Sequence, residues 1–158
     1  MALKSHGVKA KKHLGQHFLN DEHVAVRLVE SIQSARKDSI LLEIGPGTGA
    51  LTRPLVSRFG GAVLALEVDQ ESVAFLKKAP WIEPHQVMAA DFLALKESEL
   101  APSGDIIVVG NFPYNISSQI LFKFLDWRVR STELVGMFQK EVAERICSAH
   151  GSKTYGIL

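Results

Sequence analysis

An apolar run, Ile40-Leu41-Leu42, passes directly into Glu43-Ile-Gly-Pro-Gly-Thr-Gly49. Few folds accept that order. The run suits a buried strand better than a helix because it is short and bounded by turn residues. Three alternating glycines then demand a tight turn. The residues beyond them carry helical spacing as far as Phe59, where Gly60-Gly61 stops it. Strand, glycine turn and helix in succession form the opening unit of a parallel α/β sheet.

The same alternation continues down the chain, without repeats or low-complexity segments. Strands are predicted at residues 40–44, 62–66, 86–90, 106–109 and 133–138. Helices are predicted at 70–79, ended by Pro80, at 117–127, capped by Ser117 or Ser118, and at 140–149, closed by Gly151. Upstream, Asn20 is placed to cap a helix that has Asp21 and Glu22 in its first turn and fades near Arg36. Pro54 predicts a late start or a kink in the helix after the glycines. Trp81, Trp127 and the helical face of Leu121, Phe122 and Leu125 read as packing residues.

Charge is informative by place and not by sum. The net charge of the 158 residues is +1. Yet residues 1–13 carry Lys4, Lys9, Lys11 and Lys12 with no acid, and the first carboxylate is Asp21. Such an arm suits nucleic-acid phosphates, although on charge alone a solubilising tail is the better reading. Cys147 is alone, which excludes an intramolecular disulfide and a cysteine metal cluster. Its amphipathic surroundings predict a packed thiol. The histidines have no ligand spacing, so no metal is assigned. No run approaches a membrane span and the first residues lack a secretory core, so the expectation is a cytoplasmic protein.

Polar residues close every predicted strand at its carboxyl end: Glu43 and Gly45, Glu67 and Asp69, Asp91, Asn111, and Gln139. In open α/β sheets that rim is where ligands bind. Gly45, Gly47 and Gly49 let backbone approach a ligand, and the helix behind them offers free N–H groups to a carboxylate. Glu67 is placed to accept ribose hydroxyls, with Asp69 as rival or as a helix cap. Asp91 can accept from an adenine amine with Phe92 against the ring, or can cap the following turn. Asn111-Phe-Pro-Tyr114 follows the fourth strand. The Asn111 amide and the Phe112 carbonyl, turned inward by Pro113, suit the two N–H groups of an exocyclic amine. Tyr114 suits a stacked base, an interaction of about 1–3 kcal/mol. Together these residues suggest methyl transfer from S-adenosylmethionine to a base nitrogen.

With those motifs in hand, the chain resembles the ribosomal RNA adenine N6-dimethyltransferase family, the small-subunit dimethyladenosine transferases. Gly15-Gln16-His17-Phe18-Leu19-Asn20 is similar to the family's G-Q-x-F-L motif, which places Gln16, Phe18 and Leu19 over the cofactor. Glu43 through Gly49 resembles its first cofactor motif, Glu67 its ribose acid and Asp91 its adenine acid. Asn111-Phe-Pro-Tyr114 resembles its N-L-P-Y catalytic motif, with Phe112 where the family has Leu; little effect is expected, since the backbone carries that role. Gln139-Lys-Glu-Val142 and Ser152-Lys-x-Tyr-Gly156 also resemble family segments.

The resemblance implies a Rossmann-like class I methyltransferase sheet. It implies N6-dimethylation of adjacent adenosines near the 3′ end of small-subunit (16S) ribosomal RNA during ribosome biogenesis. It also implies a basic arm at 1–13, with Lys4, Lys9, Lys11 and Lys12 against RNA, and a catalytic domain at 14–158. Further strands and a C-terminal helical domain would be absent, leaving the strand at 133–138 as an open edge. The parent is expected to be a monomer, while this chain is expected to self-associate. A NAD-dependent oxidoreductase shares the glycines and Glu67 but leaves Asn111-Phe-Pro-Tyr114 without a task. A non-catalytic ribosome-assembly factor on the same fold is the other alternative.

Overall fold

A computed structural model describes residues 19–100 and 103–152. In chain order the elements are α1 (Glu22–Glu30), β1 (Ile40–Ile44), α2 (Thr52–Phe59), β2 (Val63–Glu67), α3 (Gln70–Lys77), β3 (Val87–Ala89), β4 (Ile106–Asn111), α4 (Ser117–Asp126), β5 (Ser131–Met137) and α5 (Lys140–Cys147). The strands form one sheet in the order β3-β2-β1-β4-β5. Every neighbouring pair is parallel. This is the Rossmann-like sheet the sequence predicts, and β1 has the predicted bounds.

Successive strand residues face opposite ways, so the central strands serve two cores. Leu42, Ile44, Ile106 and Val108 pack with Leu66, Ile120 and Trp127 on one face. Leu41, Ile107 and Val109 pack with Val63 and with Ala25, Val29, Leu51 and Leu55 on the other. A third cluster seats Val73 and Leu76 of α3 on Ala65 and Val87. Burial of one such aliphatic side chain is worth about 1.5–3 kcal/mol. Strands covered on both faces need no polar alternation, which is why these read as continuous apolar runs.

Several boundaries shift, each for a local reason. Asp21, not Asn20, caps α1, accepting from the amides of His23 at 2.9 Å and Val24 at 3.3 Å. Its charge adds a favourable interaction with the helix dipole. The helix stops at Glu30, well before Arg36. The Arg58 guanidinium takes the carbonyls of Val29 and Ile32. Glu133 of β5 accepts from the Gln33 and Ser34 amides, the latter at 2.8 Å. Those bonds draw the chain away from the helix axis.

At α2 the late start places Pro54 in the first turn, where no intrahelical N–H is needed. Neither serine caps α4. Ile116 occupies that position, and Ser117 lies buried inside the first turn with its Oγ donating to the Tyr114 carbonyl. Both β2 and β4 extend further than predicted, so Glu67 and Asn111 are their last residues.

Two burial expectations are corrected. Phe122 and Leu125 are 45% and 54% exposed, because α4 meets the sheet through Ile120 and Phe124 and turns its other flank outward. Cys147 is exposed, since α5 buries none of its residues completely. Trp127 is core, as predicted. Among the described residues no helix is long and apolar enough to cross a membrane.

Candidate functional site

The glycine turn sits over the end of β1. Gly45, Gly47 and Gly49 have φ of 68°, 56° and 88°, the left-handed region that strains any residue with a Cβ. The Gly45 amide donates to the Leu66 carbonyl and the Gly49 amide to that of Pro46. Gly49 has a second reason to lack a side chain. A Cβ there would lie 2.3 Å from Cη2 of Trp81. The sequence suggested a ligand on that side; the indole fills it, with the Arg53 guanidinium above its ring. Gly45 faces Pro113, whose Cγ would be 3.9 Å from an added Cβ. The two motifs singled out in the sequence therefore lie side by side.

Strand alternation brings two acids to this end of the sheet. Glu43 shares its face with Leu41 and stands opposite Ala65 of β2 and Val109 of β4. It is 1% exposed. Burial pushes its carboxyl up to about 8; the Thr52 hydroxyl opposes that rise and the charge of Glu67 adds to it. Glu43 therefore holds a proton at neutral pH. Among the described residues, neither Glu43 Oε2 nor Thr52 Oγ1 has a hydrogen-bond partner. Leaving a buried polar atom unmatched costs about 1–3 kcal/mol. Glu43 lines a narrow cleft with Leu19, Gly45, Pro46, Thr48, Ala50, Leu51 and Asn111. An orphaned oxygen in a cleft beside a glycine turn fits a ligand that brings its own donors.

Glu67 is fully engaged. Its Oε2 accepts from the Gly47 amide at 3.0 Å, and its Oε1 from the amides of Val68 and Asp69 at 2.9 Å each. Burial raises its pKa, with the three backbone donors pulling the other way. Glu67 thus ties the end of β2 to the glycine turn. Asp69 caps α3, accepting from the amide and hydroxyl of Ser72 at 3.3 and 2.9 Å.

Asp91 takes its capping role: Oδ1 accepts from the Leu93 amide at 2.9 Å. Phe92 departs from expectation. It is 2% exposed, and its ring meets Trp127 edge-on at 5.2 Å, so its side chain belongs to the core and not to the rim. Lys123 was not anticipated. Its ammonium lies over both rings and donates to the Leu93 carbonyl, pinning the turn that carries Asp91 to α4. Burial pushes Lys123 down from the usual amine range, against the pull of Asp91, Asp126 and Glu99. No spacing rule joins residues 92, 123 and 127.

At the end of β4, Asn111 enters the cleft that Glu43 lines. Phe112 points to the opposite face and is buried. Its ring covers Gly110 and Gly136. A Cβ at Gly136 would sit 2.2 Å from Phe112 Cε2, and one at Gly110 would sit 2.8 Å from Cε1. Phe138 closes over the ring at 4.9 Å. The side chain expected to matter little is the anchor of the motif. Tyr114 is 41% exposed.

Gln16, Phe18, Lys4, Lys9, Lys11 and Lys12 lie outside the described residues, as does most of the segment Ser152 to Gly156. Among the described residues no group of three or more His, Cys, Asp or Glu could hold a metal ion.

A family model described as ribosomal RNA adenine dimethylase matches residues 7–158. The ribosomal RNA small subunit methyltransferase A of Cytophaga hutchinsonii is 47% identical over 150 residues, covering 95% of this chain and 58% of that protein. Its namesake in Parabacteroides distasonis is 48% identical over 151 residues, covering 96% and 56%. Among solved structures, a dimethyladenosine transferase from Plasmodium falciparum matches with a TM-score of 0.69 and 29% identity, over 89% of this chain and 50% of that one. The chain spans a little over half the length of the curated relatives it matches.

Proposed function

Since the chain belongs to the ribosomal RNA adenine dimethylase family, we propose that it carries the cofactor and amine sites of an S-adenosylmethionine-dependent N6-dimethyltransferase. The substrate is a pair of adjacent adenosines near the 3′ end of small-subunit (16S) ribosomal RNA, within an immature small subunit in the cytoplasm. The observation that carries this reading is the meeting of the glycine turn, Glu43 and Asn111 in one cleft, with Glu67 holding the turn from the next strand.

S-adenosylmethionine, when bound, supplies the methyl group for transfer to N6. The chain's own residues hold and align. The helix start behind the glycine turn favours a carboxylate. Glu67 exchanges some of its backbone donors for ribose hydroxyls, and Asp91 accepts from the cofactor's adenine. The target adenosine leaves its stack to reach the cleft. The Asn111 amide oxygen and the Phe112 carbonyl accept the two N6 hydrogens, which favours a more tetrahedral nitrogen with its lone pair free. Tyr114 stacks on the base. No general base is assigned, because the amine loses its proton readily once methylated. Alignment of the reactants supplies roughly 7–11 kcal/mol of the barrier. Residues 1–13, through Lys4, Lys9, Lys11 and Lys12, contact RNA phosphates in this proposal.

Calorimetry with S-adenosylhomocysteine and with NAD separates the cofactors. Binding of NAD without response to S-adenosylhomocysteine would refute the assignment. In the whole enzyme, Asn111→Ala should abolish methylation with cofactor affinity nearly intact, whereas Glu67→Ala should weaken cofactor binding first. Equal loss of cofactor affinity in both variants would show the division of roles to be wrong. Full cofactor binding without methylation of small-subunit RNA by the whole protein would favour the assembly-factor alternative.

A further inference from the structure

The glycine turn is pressed from behind by one ring. Gly49 lies so close to Trp81 that an added Cβ would fall 2.3 Å from Cη2 and 2.9 Å from Cζ2 of the indole. A methyl of Leu76, from α3, would be 3.1 Å away. Neither Trp81 nor Leu76 lines the cleft. The indole is held in turn. It packs against the cluster of Ala65, Val73, Leu76, Ile82 and Val87, and the Arg53 guanidinium lies over its ring, 5.5 Å from the centroid. Arg53 also grips Gly49 through the backbone, its amide donating to the Gly49 carbonyl at 3.0 Å.

The turn has a second fastening, the bond from the Gly47 amide to Glu67 Oε2. The two differ in what a ligand does to them. In the reading above, Glu67 exchanges some of its backbone donors for ribose hydroxyls, and Gly47 is one of its three donors. A turn held by Glu67 alone would loosen as the cofactor arrives. The ring contact uses no group that a nucleoside needs, so it persists. Three glycines with positive φ give the turn little stiffness of its own. We propose that Trp81 is a positioning residue of the cofactor site: its ring, held down by Arg53, keeps the glycine turn in the shape that receives the carboxylate end of the cofactor. The inference rests on the S-adenosylmethionine reading and adds to it a residue that acts through Gly49 and not by contact with the ligand.

The size of the effect is a matter of populations. An apparent dissociation constant rises by the inverse of the fraction of molecules whose site is competent. A turn that keeps its shape about one-tenth of the time once the ring is gone binds about ten-fold more weakly.

The test is calorimetric titration of S-adenosylhomocysteine and of 5′-methylthioadenosine into the whole enzyme and its variants. Both probes carry the adenosine; only the first carries the amino acid that the turn receives. Trp81→Leu keeps the cluster apolar and removes the flat ring behind Gly49. It should weaken S-adenosylhomocysteine about ten-fold and 5′-methylthioadenosine by no more than about two-fold. Trp81→Phe, which keeps a ring, should stay within about three-fold of the unaltered enzyme for both. In turnover, Trp81→Leu should raise KM for S-adenosylmethionine about ten-fold and change kcat far less. Arg53→Ala, at an exposed position, should weaken S-adenosylhomocysteine about two- to five-fold, the effect of a cation over an exposed ring. That loss is read in about 1 M salt, where a missing positive charge near the carboxylate is screened. Equal weakening of both probes by Trp81→Leu is a general loss of structure and overturns the inference. Unchanged affinity for S-adenosylhomocysteine in Trp81→Leu does the same. Either result leaves the cofactor reading standing. Binding of neither probe to the unaltered enzyme overturns both. If Trp81→Leu does not fold, Arg53→Ala decides: a loss confined to S-adenosylhomocysteine supports the inference, and no loss in high salt overturns it.

Discussion

Replacing Gly136 by alanine adds one methyl group and should unsettle the motif that ends β4. An ideal Cβ there falls 2.2 Å from Phe112 Cε2 and 2.5 Å from the Gly110 carbonyl oxygen. Real contacts cannot be that short, so the ring and the neighbouring strand must both give way. Overpacking of this kind costs about 1–3 kcal/mol, and the clash with backbone puts this case at the upper end. Restricting the unfolded chain returns about 0.4–1 kcal/mol. The net expectation is a destabilisation of about 2 kcal/mol. For a chain of this size that lowers the melting temperature by about 4–8 °C. Urea unfolding followed by circular dichroism would measure it, with an unchanged m-value confirming a common unfolded state. Phe112→Leu alone should cost about 1 kcal/mol, as a change of shape in the core. The double variant should be more stable than the two losses combined predict, by at least about 1 kcal/mol, because the shorter side chain leaves the new methyl room. If Gly136→Ala lies within about 0.5 kcal/mol of the unaltered chain, or if the losses simply add, the ring is not seated as described.

Two further outcomes are expected. Glu43 has its folded pKa raised from 4.5 to about 8, so its stabilising contribution is complete below about pH 4.5 and is lost as pH rises through 8. The loss amounts to something on the order of 5 kcal/mol. Glu43→Gln, which imitates the protonated acid, should flatten the pH dependence of chemical unfolding and be the more stable form at about pH 9; a variant as pH-sensitive as the original would contradict the burial argument. Glu133→Ala removes the acceptor for the Gln33 and Ser34 amides and should cost about 1.5–3 kcal/mol, the range for hydrogen bonds to charged groups. Hydrogen exchange should show those two amides losing protection first, and unchanged exchange there would contradict the role given to Glu133.

What the sequence made legible was whatever depends on one segment at a time. Apolar runs bounded by glycine and proline marked the strands, because a strand buried on both faces has to be apolar throughout. The glycine turn and the polar strand ends marked the rim for the same local reason. Illegible were the choices made by partners distant in the chain. Phe92 follows a rim acid and looked like a wall for a ring, but Trp127 and Lys123 offered it a better place inside. Gly49 looked like ligand clearance, and Trp81 stands there. Phe112 looked interchangeable with leucine, because nothing near it in sequence shows that Gly136 forms the floor beneath it. Leu125 and Phe122 have helical core spacing, yet which flank of a helix is covered depends on the sheet it lands upon. The capping error at Asn20 was of another kind: two adjacent residues both cap well, and only the carboxylate also carries charge to the helix dipole.

The order of strands also sets an order of assembly. Leu41 pairs with Val63 only 22 residues away, whereas Ile40 pairs with Ile106 across 66. Closing the longer loop costs about 1 kcal/mol more in chain entropy. The β1–β2 pair, with Glu43, the glycine turn and the Glu67 tether, can thus form while β4 is still unpaired. Asn111 arrives with β4, on the far side of the longer closure. During folding, the half proposed to hold the nucleoside can therefore be in place before the half proposed to address the amine.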